Sequence, residues 1–559
     1  MIPAILPMMR RPLSITSDLT VREVALNWPV CAKILGRYPH ARWEGRWTLQ
    51  SLGGFARDCG MDEHRLLRQL ADASGVAMTS GGRRDANGSP VPLILLATAV
   101  CLTLGGGWGA TLLLRIARGV DYDVVSGAGV HVHGLAQLWG WMAMFVIAVA
   151  SHLLRQNTKR PSPPWVEYTA ASFILAGLLA FFAGLAEPLR AAMAYIDVIA
   201  SLLLATAAGL FGISVIWSLS GSASQNRHGL VFLIGWLWAW AGTDLWLRLH
   251  YMHTAVLPES ARSLLIALPV LGFATNAIYG FGIRLIPGLL NIGRLRSHWL
   301  AAALLMHNAG LCLFLLPRPP LSAAGAMLML LGSGAYLIGM NGLRSKPSRP
   351  IYGVDARGHI LIRMAFFWLV CGLGMIVAGQ FLPGLPHPYR GAWRHALTVG
   401  FVTTMIIGVG QRIVPVFIKQ PLASTRLMLG SAALIMLGNT GRVGLELATM
   451  GGWPWAFRLM GLTGLAELTA ITLFALNLAL TVRNRHRVYA AGEPLTPDTR
   501  VREAVNVRPE LQRRFKQLGI TMFDKAPFIA PSMTFGALAL ACGRQPHELI
   551  RASMSRGMV

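Results

Sequence analysis

The sequence predicts an all-α polytopic membrane protein, with about twelve transmembrane helices in three four-helix repeats and a small helical cytoplasmic domain at each end. Composition is the first observation behind this prediction: 54% of the 559 residues are hydrophobic, only 13% are charged, and the mean hydropathy is +0.51. A soluble domain of this size does not enclose so much apolar sequence, whereas apolar runs of about 20 residues are typical of membrane-spanning helices. The other observations are an internal repeat and the distribution of charge between the apolar runs.

Twelve apolar runs are long enough to cross a bilayer as helices. The two end regions resemble each other and are expected on one side of the membrane, which independently requires an even number of spans. The predicted spans are 91–114, 131–154, 166–187, 195–218, 229–250, 263–287, 298–316, 321–343, 359–382, 393–417, 426–449 and 455–481.

The internal repeat is carried by glycine and basic positions in three of these runs. Segment 272–287 begins Gly-Phe-Ala-Thr, and segment 400–415 repeats its glycines, arginine and proline at the same spacing, 128 positions later. A fainter copy lies 132 positions before the first, with Gly140 at its first glycine and His152 at the position of Arg284. Successive copies lie four spans apart, in the second, sixth and tenth spans, so the spacing predicts three copies of a four-helix unit. Close helix packing is the plain role of the glycines.

Charge alternates from loop to loop. Lys and Arg total 50 against 24 Asp and Glu, which gives a formal charge of +26. By the positive-inside rule, the alternation predicts that both termini are cytoplasmic. The excess charge therefore indicates orientation and contact with anionic membrane lipid, and not a nucleic-acid site. The basic sites are Arg83, Arg84, Arg155, Lys159, Arg160, Arg294, Arg296, Arg344, Lys346, Arg349, Lys419, Arg426, Arg483, Arg485 and Arg487.

Targeting and redox features fit the same location. The residues up to Pro90 contain no short apolar segment with a small-residue cleavage site, so no cleavable signal peptide is expected. Six cysteines are scattered without a C-x-x-C pair, which indicates neither disulfides nor a thiolate metal site. We therefore expect a multi-pass protein of the inner membrane.

Polar sequence at the two ends flanks the apolar core. Each end region has short segments with helical spacing, which are opened by a capping Asp or Thr and bounded by Pro. A segment rich in Ser, Gly, Asn and Pro precedes the core and is expected to be flexible. The predicted parts are a small helical domain at 14–75, a linker at 76–90, the twelve-helix core at 91–482 and a second small helical domain at 495–559.

The two end domains share one pattern. Asp18-x-x-Val-Arg-Glu in the first matches Asp498-x-x-Val-Arg-Glu in the second, and Cys59-Gly-x-x-x-His matches Cys542-Gly-x-x-x-His. Both domains resemble the small helical domain of unknown function that begins Thr-Val-x-Glu-Val and often accompanies redox or nitric-oxide-related proteins. We expect them to dock a cytoplasmic protein partner of unknown identity.

Six of the fifteen histidines fall at the extracytoplasmic ends of predicted helices or in the short loops between them. Of these, His133 and His395 lie at comparable depth in the second and tenth spans, which the repeat relates. Axial haem ligation needs this arrangement, because two rigid helices then offer imidazole nitrogens to the iron from opposite faces. His131 and His387 are further haem or metal ligands by position. A plainer role stays open for each: a hydrogen bond to water or to a neighbouring carbonyl. The six are His131, His133, His250, His253, His387 and His395.

His307 lies alone in the middle of the seventh span, among Leu, Met and Ala. An unpartnered imidazole is costly in an apolar interior. Two roles are open for it: a further haem or metal ligand, or a side chain that is hydrogen-bonded by the neighbouring Asn308.

A family resemblance joins these features. Three four-helix units with functional histidines resemble the plan of the haem–copper oxidase catalytic subunit. A closer likeness, over roughly 90–480, is to the NnrS family of membrane proteins, which are associated with relief of nitric-oxide stress. That resemblance implies haem, with copper as a second metal, and nitric oxide as a small gaseous ligand. It rests on His131-x-His133 followed by Gly140-Trp141, and on His395-Ala396-Leu397-Thr398-Val399-Gly400.

We interpret the sequence as that of a membrane haem protein of NnrS type, in the response to nitric oxide or in related redox chemistry. Whether it is an enzyme stays open. One rival interpretation is a solute transporter with internal repeats, and another is a membrane scaffold that presents two cytoplasmic docking domains. A transporter should carry intramembrane charges that face a cavity. The acids available for this are Asp197, Asp244, Glu446 and Glu467, which the sequence does not pair.

Overall fold

The computed structural model is almost wholly helical, and its few strands are each two residues long. Several sequence features lie outside the described residues: Asp18, Gly60, most of the basic loop residues and the linker from 79 to 88. The structure describes residues 14–17, 19, 21–38, 41–43, 46–47, 52–59, 61–78, 89–120, 127–157, 162–220, 227–253, 257–290, 292, 295–344, 358–382, 384–418, 422–483, 489, 493–520 and 533–554.

Ten helices of the described chain are long and apolar enough to cross a membrane, by length and composition. A helix satisfies its own backbone hydrogen bonds, which is what a segment needs in hydrocarbon. The chain is therefore an all-α polytopic membrane protein. The ten helices are Val91–Ala117, Ala128–Arg155, Pro164–Ala183, Met193–Ser220, His228–His250, Glu259–Leu290, Pro319–Gly339, His359–Phe381, His387–Ile418 and Trp455–Arg483.

Helices also occupy the other two predicted spans, Ser297–Phe314 and Thr425–Thr449. They carry more polar side chains, among them His307 in the former and Arg442 and Glu446 in the latter. Long helices thus lie at all twelve predicted positions, and ten of them meet the composition of a membrane span. We number the twelve from first to twelfth in chain order, so that Ser297–Phe314 is the seventh and Thr425–Thr449 the eleventh.

The two more polar helices each pack closely on the helix that follows. In the seventh and eighth helices, a Cβ built on Gly310 would lie 2.8 Å from the carbonyl oxygen of Gly325. In the eleventh and twelfth, a Cβ built on Gly438 would lie 3.2 Å from the carbonyl oxygen of Thr463. Glycine at these positions allows backbone-to-backbone approach, which is how helices associate without a solvent-driven force.

The second, sixth and tenth helices share a local distortion. Each contains a π-helical segment, and the starts of the three segments are offset by 132 and 128 residues, as in the sequence repeat. A glycine in the segment faces the preceding helix: a Cβ on Gly272 would lie 2.9 Å from Trp236 Cγ, and one on Gly400 would lie 2.8 Å from Trp368 Cβ. Such π-helical insertions are frequent at functional sites. The segments are Ala136–Ala143, Leu268–Ala274 and Ala396–Thr403.

These three helices also meet one another through the basic positions of the repeat. Arg412 of the tenth helix donates to the carbonyl oxygen of Leu289 at the end of the sixth, over 2.7 Å. His152 of the second helix packs on Phe417 of the tenth, with ring centroids 4.2 Å apart. The three repeat helices are also the most buried of the ten candidate spans, so they form the inside of the bundle.

The tenth helix begins earlier than the sequence predicts, at His387 rather than 393. Its first two turns are polar, so a search for apolar runs omits them. Pro388 at the second helical position fits there, because a helix start has no partner for that N–H group. His395 consequently lies two turns inside the helix.

The N-terminal domain has its own apolar core, which includes Trp28 and Phe55. The strand Ser14–Ile15 pairs in parallel with Ala77–Met78, so two residues assigned to the linker close this domain. Asp62 caps the last helix by accepting from the Arg65 N–H, at 2.8 Å. The other pair of strands is Arg42–Trp43 with Arg46–Trp47, and the helices are Val21–Asn27, Pro29–Leu35, Leu52–Asp58 and Glu63–Ser74.

The C-terminal domain also has a core of its own, in which the rings of Phe515 and Phe535 lie 5.7 Å apart. The two end domains contact each other: Arg502 donates to Glu23 at 2.7 Å, and both side chains are largely buried. Arg502 occupies the position in its domain that Arg22 occupies in the other. The helices are Val501–Val507, Glu510–Gln517, Phe535–Ala541 and Pro546–Met554.

Candidate functional site

A cavity of about 280 Å³ opens where the second and tenth helices begin. The first, sixth, eleventh and twelfth helices complete its wall. Four of the five histidines proposed as ligands line it: His131, His133, His387 and His395. The same wall carries three cations and three acids, namely Arg262, Arg394, Arg442, Glu259, Glu446 and Glu467.

The first helix holds the ring of His133. Nδ1 of this histidine lies 2.9 Å from the carbonyl oxygen of Gly105, the last residue of a π-helical segment at Cys101–Gly105. A carbonyl only accepts, so Nδ1 carries the proton and Nε2 is left as the unprotonated nitrogen. Gly109 makes room for the ring, because a Cβ built there would lie 2.7 Å from Nδ1 and 3.0 Å from Nε2.

The eleventh helix holds the ring of His395. Nδ1 lies 3.0 Å from the carbonyl oxygen of Gly391 and 3.2 Å from Oε2 of Glu446. Both are acceptors, so Nδ1 again carries a proton, and in the neutral ring Nε2 is then the nitrogen with the free lone pair. Glu446 is itself held by Arg442, at 3.1 Å, and both of these side chains are at least nine-tenths buried. A carboxylate behind a histidine fixes the ring and strengthens it as a ligand.

His133 and His395 are therefore in the same chemical state at one cavity. Each ring donates Nδ1–H to a backbone carbonyl, and in the neutral ring Nε2 then has the free lone pair. A neutral imidazole with its other nitrogen tied down is the form that binds metals. The arrangement suits axial ligation from two different helices.

His131 is engaged in a different network. Its Nε2 contacts a guanidinium nitrogen of Arg248 in the fifth helix. Arg248 also bonds Asp197 at 2.5 Å and lies 3.6 Å from Asp244. Arginine only donates, so Nε2 of His131 is the acceptor and is occupied by this contact. His387, at the start of the tenth helix, lines the cavity and is half-buried.

The structure does not bring His307 to this cavity. The side chain is fully buried, and Nε2 donates to the carbonyl oxygen of Leu271 at 2.7 Å. Its ring packs edge-on against Tyr279, with centroids 5.4 Å apart. Asn308, the neighbour proposed as its partner, bonds Trp236 instead. The π-helical segment of the sixth helix thus accepts from Nε2 of His307, whereas its buried Nδ1 has no hydrogen-bond partner among the described residues.

The sequence missed several residues that shape the site. Gly105 and Gly109, which seat His133, belong to a run of four glycines in five positions of the first helix, and that run was the available signal. Arg442 and Glu446 are one helical turn apart, which was a second signal, since such pairs bond along one face. Arg248 carried the same signal for Asp244, four residues before it, but none for Asp197, which is 51 residues away.

Two further findings bear on identity. Within the described part of the chain, no three or more His, Cys, Asp or Glu residues are grouped closely enough to hold a metal ion. Axial ligation of haem needs only two protein ligands, so that finding does not weigh against it. Neither a protein-family model nor a curated protein sequence matches this chain.

Proposed function

We propose that the chain is a membrane haem protein of NnrS type, which acts in the response to nitric oxide or in related redox chemistry. One observation carries the proposal: His133 and His395, on two different helices, line one cavity, and each has its Nδ1 hydrogen-bonded to a backbone carbonyl, which leaves Nε2 for a metal. Axial ligation of haem iron by two histidines requires this pair of neutral imidazoles.

The charges of the cavity support the same cofactor. Haem carries two carboxylates, and the wall carries three arginines, of which Arg262 and Arg394 pair with Glu259 and Arg442 pairs with Glu446. Nη1 of Arg442 is buried and has no hydrogen-bond partner among the described residues. An anionic group beside it would satisfy that atom with a charge-assisted bond. Aliphatic and aromatic side chains suit the apolar macrocycle, among them Leu112, Leu135, Leu138, Trp141, Leu265 and Ile471.

Bound haem would supply a redox-active iron, and nitric oxide would become its ligand only where one of the two histidines gives up its position. The chain's own part is to hold and orient: His133 and His395 as axial ligands, Gly105 and Glu446 as the groups that fix their tautomers. Copper is a second metal proposal, with His131 and His387 as further ligands. His131 would have to leave Arg248 to bind a metal, because its Nε2 accepts from that side chain. We assign no catalytic turnover.

For the topology we propose twelve spans in three four-helix units, in the inner membrane, with both termini cytoplasmic. The offsets of the π-helical segments support the repeat, since they equal the offsets in the sequence. The packing of Trp236 on Gly272 and of Trp368 on Gly400 supports it too. The alternation of basic and neutral loops supports the orientation. His133 and His395 would then lie near the extracytoplasmic face.

For partners we propose membrane lipid, nitric oxide and a cytoplasmic protein that binds the end domains, and no nucleic acid. The ion pair between Arg502 and Glu23 supports a joint role for the two domains, because it holds them together. A protein partner that binds one domain would therefore also contact the other. The scaffold interpretation shares this part of the proposal.

The acids weigh against the transporter interpretation. Asp197 and Asp244 are paired with Arg248, and Glu446 is paired with Arg442. Charges that already have a partner inside the protein offer little to a charged solute, although Arg248 balances only one of its two carboxylates. Glu467 differs, since its Oε1 is buried without a hydrogen-bond partner among the described residues, but it lines the histidine cavity and not a separate path.

The visible spectrum of the protein tests the proposal. The full chain is expressed with haem in excess, purified in detergent and scanned before and after reduction with dithionite. A Soret band that shifts on reduction, in about one equivalent per chain, supports the proposal. A preparation that is folded and free of haem overturns it and leaves the transporter and scaffold interpretations.

A further inference from the structure

A second cavity, of about 70 Å³, lies between the second, sixth and tenth helices. These are the three helices that carry the sequence repeat and the π-helical segments. Every residue of its wall is Ala, Val, Leu, Ile, Met, Phe or Gly. The second helix contributes Val146, the sixth Ala277 and Phe281, and the tenth Met405 and Ile406.

The second cavity adjoins the histidine cavity. Met142 and Val402 line both, one from the second helix and one from the tenth. Both side chains are buried, at 2% and 4% exposure. A path between the cavities therefore passes two flexible or small apolar side chains and no charged group. Met is the more adaptable of the two, since its side chain turns about three bonds.

The cavity is partly open and not a sealed void, but close packing still makes an apolar space of this size unusual. Protein interiors are packed to the density of organic crystals, with few voids larger than a water molecule. A space of this size exceeds the roughly 10–15 Å³ that one water-sized probe needs. Water needs two to four polar partners, and this wall offers hydrocarbon and thioether groups. Apolar cavities of this kind stay dry and take up uncharged apolar molecules such as xenon.

We propose that the cavity between the second, sixth and tenth helices binds small uncharged gas molecules, and that Met142 and Val402 form their passage to the histidine cavity. The chemical class is a diatomic gas, for which nitric oxide, oxygen and carbon monoxide are alike in size and polarity. Binding of gas in the cavity does not need haem. Delivery to an iron rests on the proposed function.

Xenon tests the binding. Crystals of the full chain are pressurised with xenon, and anomalous density is measured at the cavity. We expect xenon between Ala277 and Ile406 in the unaltered protein. Ala277→Phe fills the space, since Ala277 is a wall residue at 3% exposure, and is expected to remove the density. Ala301→Phe, on an exposed face of the seventh helix, is the matched control and is expected to leave it.

Overpacking can itself unfold a protein. A second variant, which enlarges the cavity instead of filling it, therefore accompanies Ala277→Phe. Ile406→Ala enlarges the cavity and is expected to raise the xenon occupancy. An unaltered protein without xenon at this place overturns the proposal. So does xenon that persists unchanged in Ala277→Phe. These outcomes are measured without haem, so the conclusion about gas binding holds whether or not the protein has a Soret band.

Flash photolysis tests the passage in the haem-loaded protein. Carbon monoxide is photolysed from the reduced protein, and its rate of return from solution is measured. Val402→Trp obstructs the shared wall and is expected to slow the return, whereas Val402→Ala is expected to speed it. Equal rates in the three proteins would show that gas enters by another way. A protein that binds xenon but no haem would overturn the proposed function and leave the gas cavity.

Discussion

Glu446 accepts a hydrogen bond from His395, with Nδ1 and Oε2 3.2 Å apart across the interface of the tenth and eleventh helices. The carboxylate has a single cation beside it along its own helix, Arg442, at 3.1 Å. A buried carboxylate must be paired to remain charged. This one forms an ion pair with Arg442 and a hydrogen bond with His395. The charge that orients His395 is thus fixed in place by the protein.

We predict that this carboxylate tunes the iron of a bound haem. Glu446→Gln keeps an oxygen acceptor for His395 but removes the charge, so the imidazole donates less electron density. Haem should stay bound, and its reduction potential should rise. A potentiometric titration followed in the visible spectrum measures the change. Glu259→Gln, at a more exposed acid of the same cavity, is the control. Equal potentials in Glu446→Gln and the unaltered protein would contradict the role given to this residue.

The two histidines should both be needed for the haem spectrum. His133→Ala or His395→Ala removes one of the two Nε2 ligands, so each is expected to abolish haem binding or to convert the spectrum to that of iron with one histidine ligand. His228→Ala, at an exposed helix start, should leave the spectrum unchanged. Haem content and the electron paramagnetic resonance spectrum measure the outcome. If neither substitution alters them, the bis-histidine proposal is wrong.

A methyl group on the first helix should displace His133 without removing it. In Gly109→Ala the new Cβ would lie 2.7 Å from Nδ1 of His133, and a firmly held ring cannot yield that far without losing its bond to Gly105. We expect the spectrum of His133→Ala in this variant. Gly134→Ala, beside the histidine on its own helix, has nothing within 4 Å of its Cβ and is the matched control. A normal spectrum in Gly109→Ala would place the iron elsewhere.

Much of the fold can be predicted from the sequence, because a bilayer restricts which sequences can cross it. Spans must be apolar for about 20 residues, and this chain has twelve such runs with helices at each. His133 and His395 come together because each lies near the start of a repeat helix that enters the bundle from one end. The early start of the tenth helix could not be predicted from apolar runs, since its first two turns are polar.

The partners of the buried polar side chains could not be predicted. His307 donates to Leu271 because a π-helical segment shifts its own hydrogen bonds and leaves carbonyl groups for other donors. The pattern of apolar residues does not predict where a π-helical segment forms. Asp197 likewise meets Arg248 only through the packing of the fourth helix on the fifth. Pairing of this kind depends on the rotation of each helix, which the order of the residues does not fix.

The Arg248 network should be a large contributor to stability. Arg248→Met leaves Asp197 and Asp244 buried without their cation, and removing one partner of a buried pair costs about 3–5 kcal/mol. Equilibrium unfolding in mixed micelles measures the loss. Asp197→Asn in the same protein should restore part of it, since one unpaired charge is then gone. As the control, Arg262→Met removes a pair that is about one-third exposed on both sides and should cost under about 1 kcal/mol. Equal losses for Arg248→Met and Arg262→Met would contradict the network.

The contact between the end domains should depend on one ion pair. Arg502 and Glu23 are 11% and 4% exposed, so their charges are poorly screened by solvent. Arg502→Glu places a second carboxylate against that of Glu23, and the repulsion between them should separate the domains. Hydrogen exchange in the full chain should then rise in Val21–Asn27 and in Val501–Val507, the helices that carry the pair.

A charge exchange makes this last test specific. Glu23→Arg alone should raise the exchange as Arg502→Glu does, and the double variant should restore the slower rates, because the pair is rebuilt with its signs reversed. Arg551→Glu, on an exposed position of the same domain, is the matched control and should leave both helices unchanged. If the two single variants exchange like the unaltered protein, the end domains act independently, and a cytoplasmic partner would meet each of them separately.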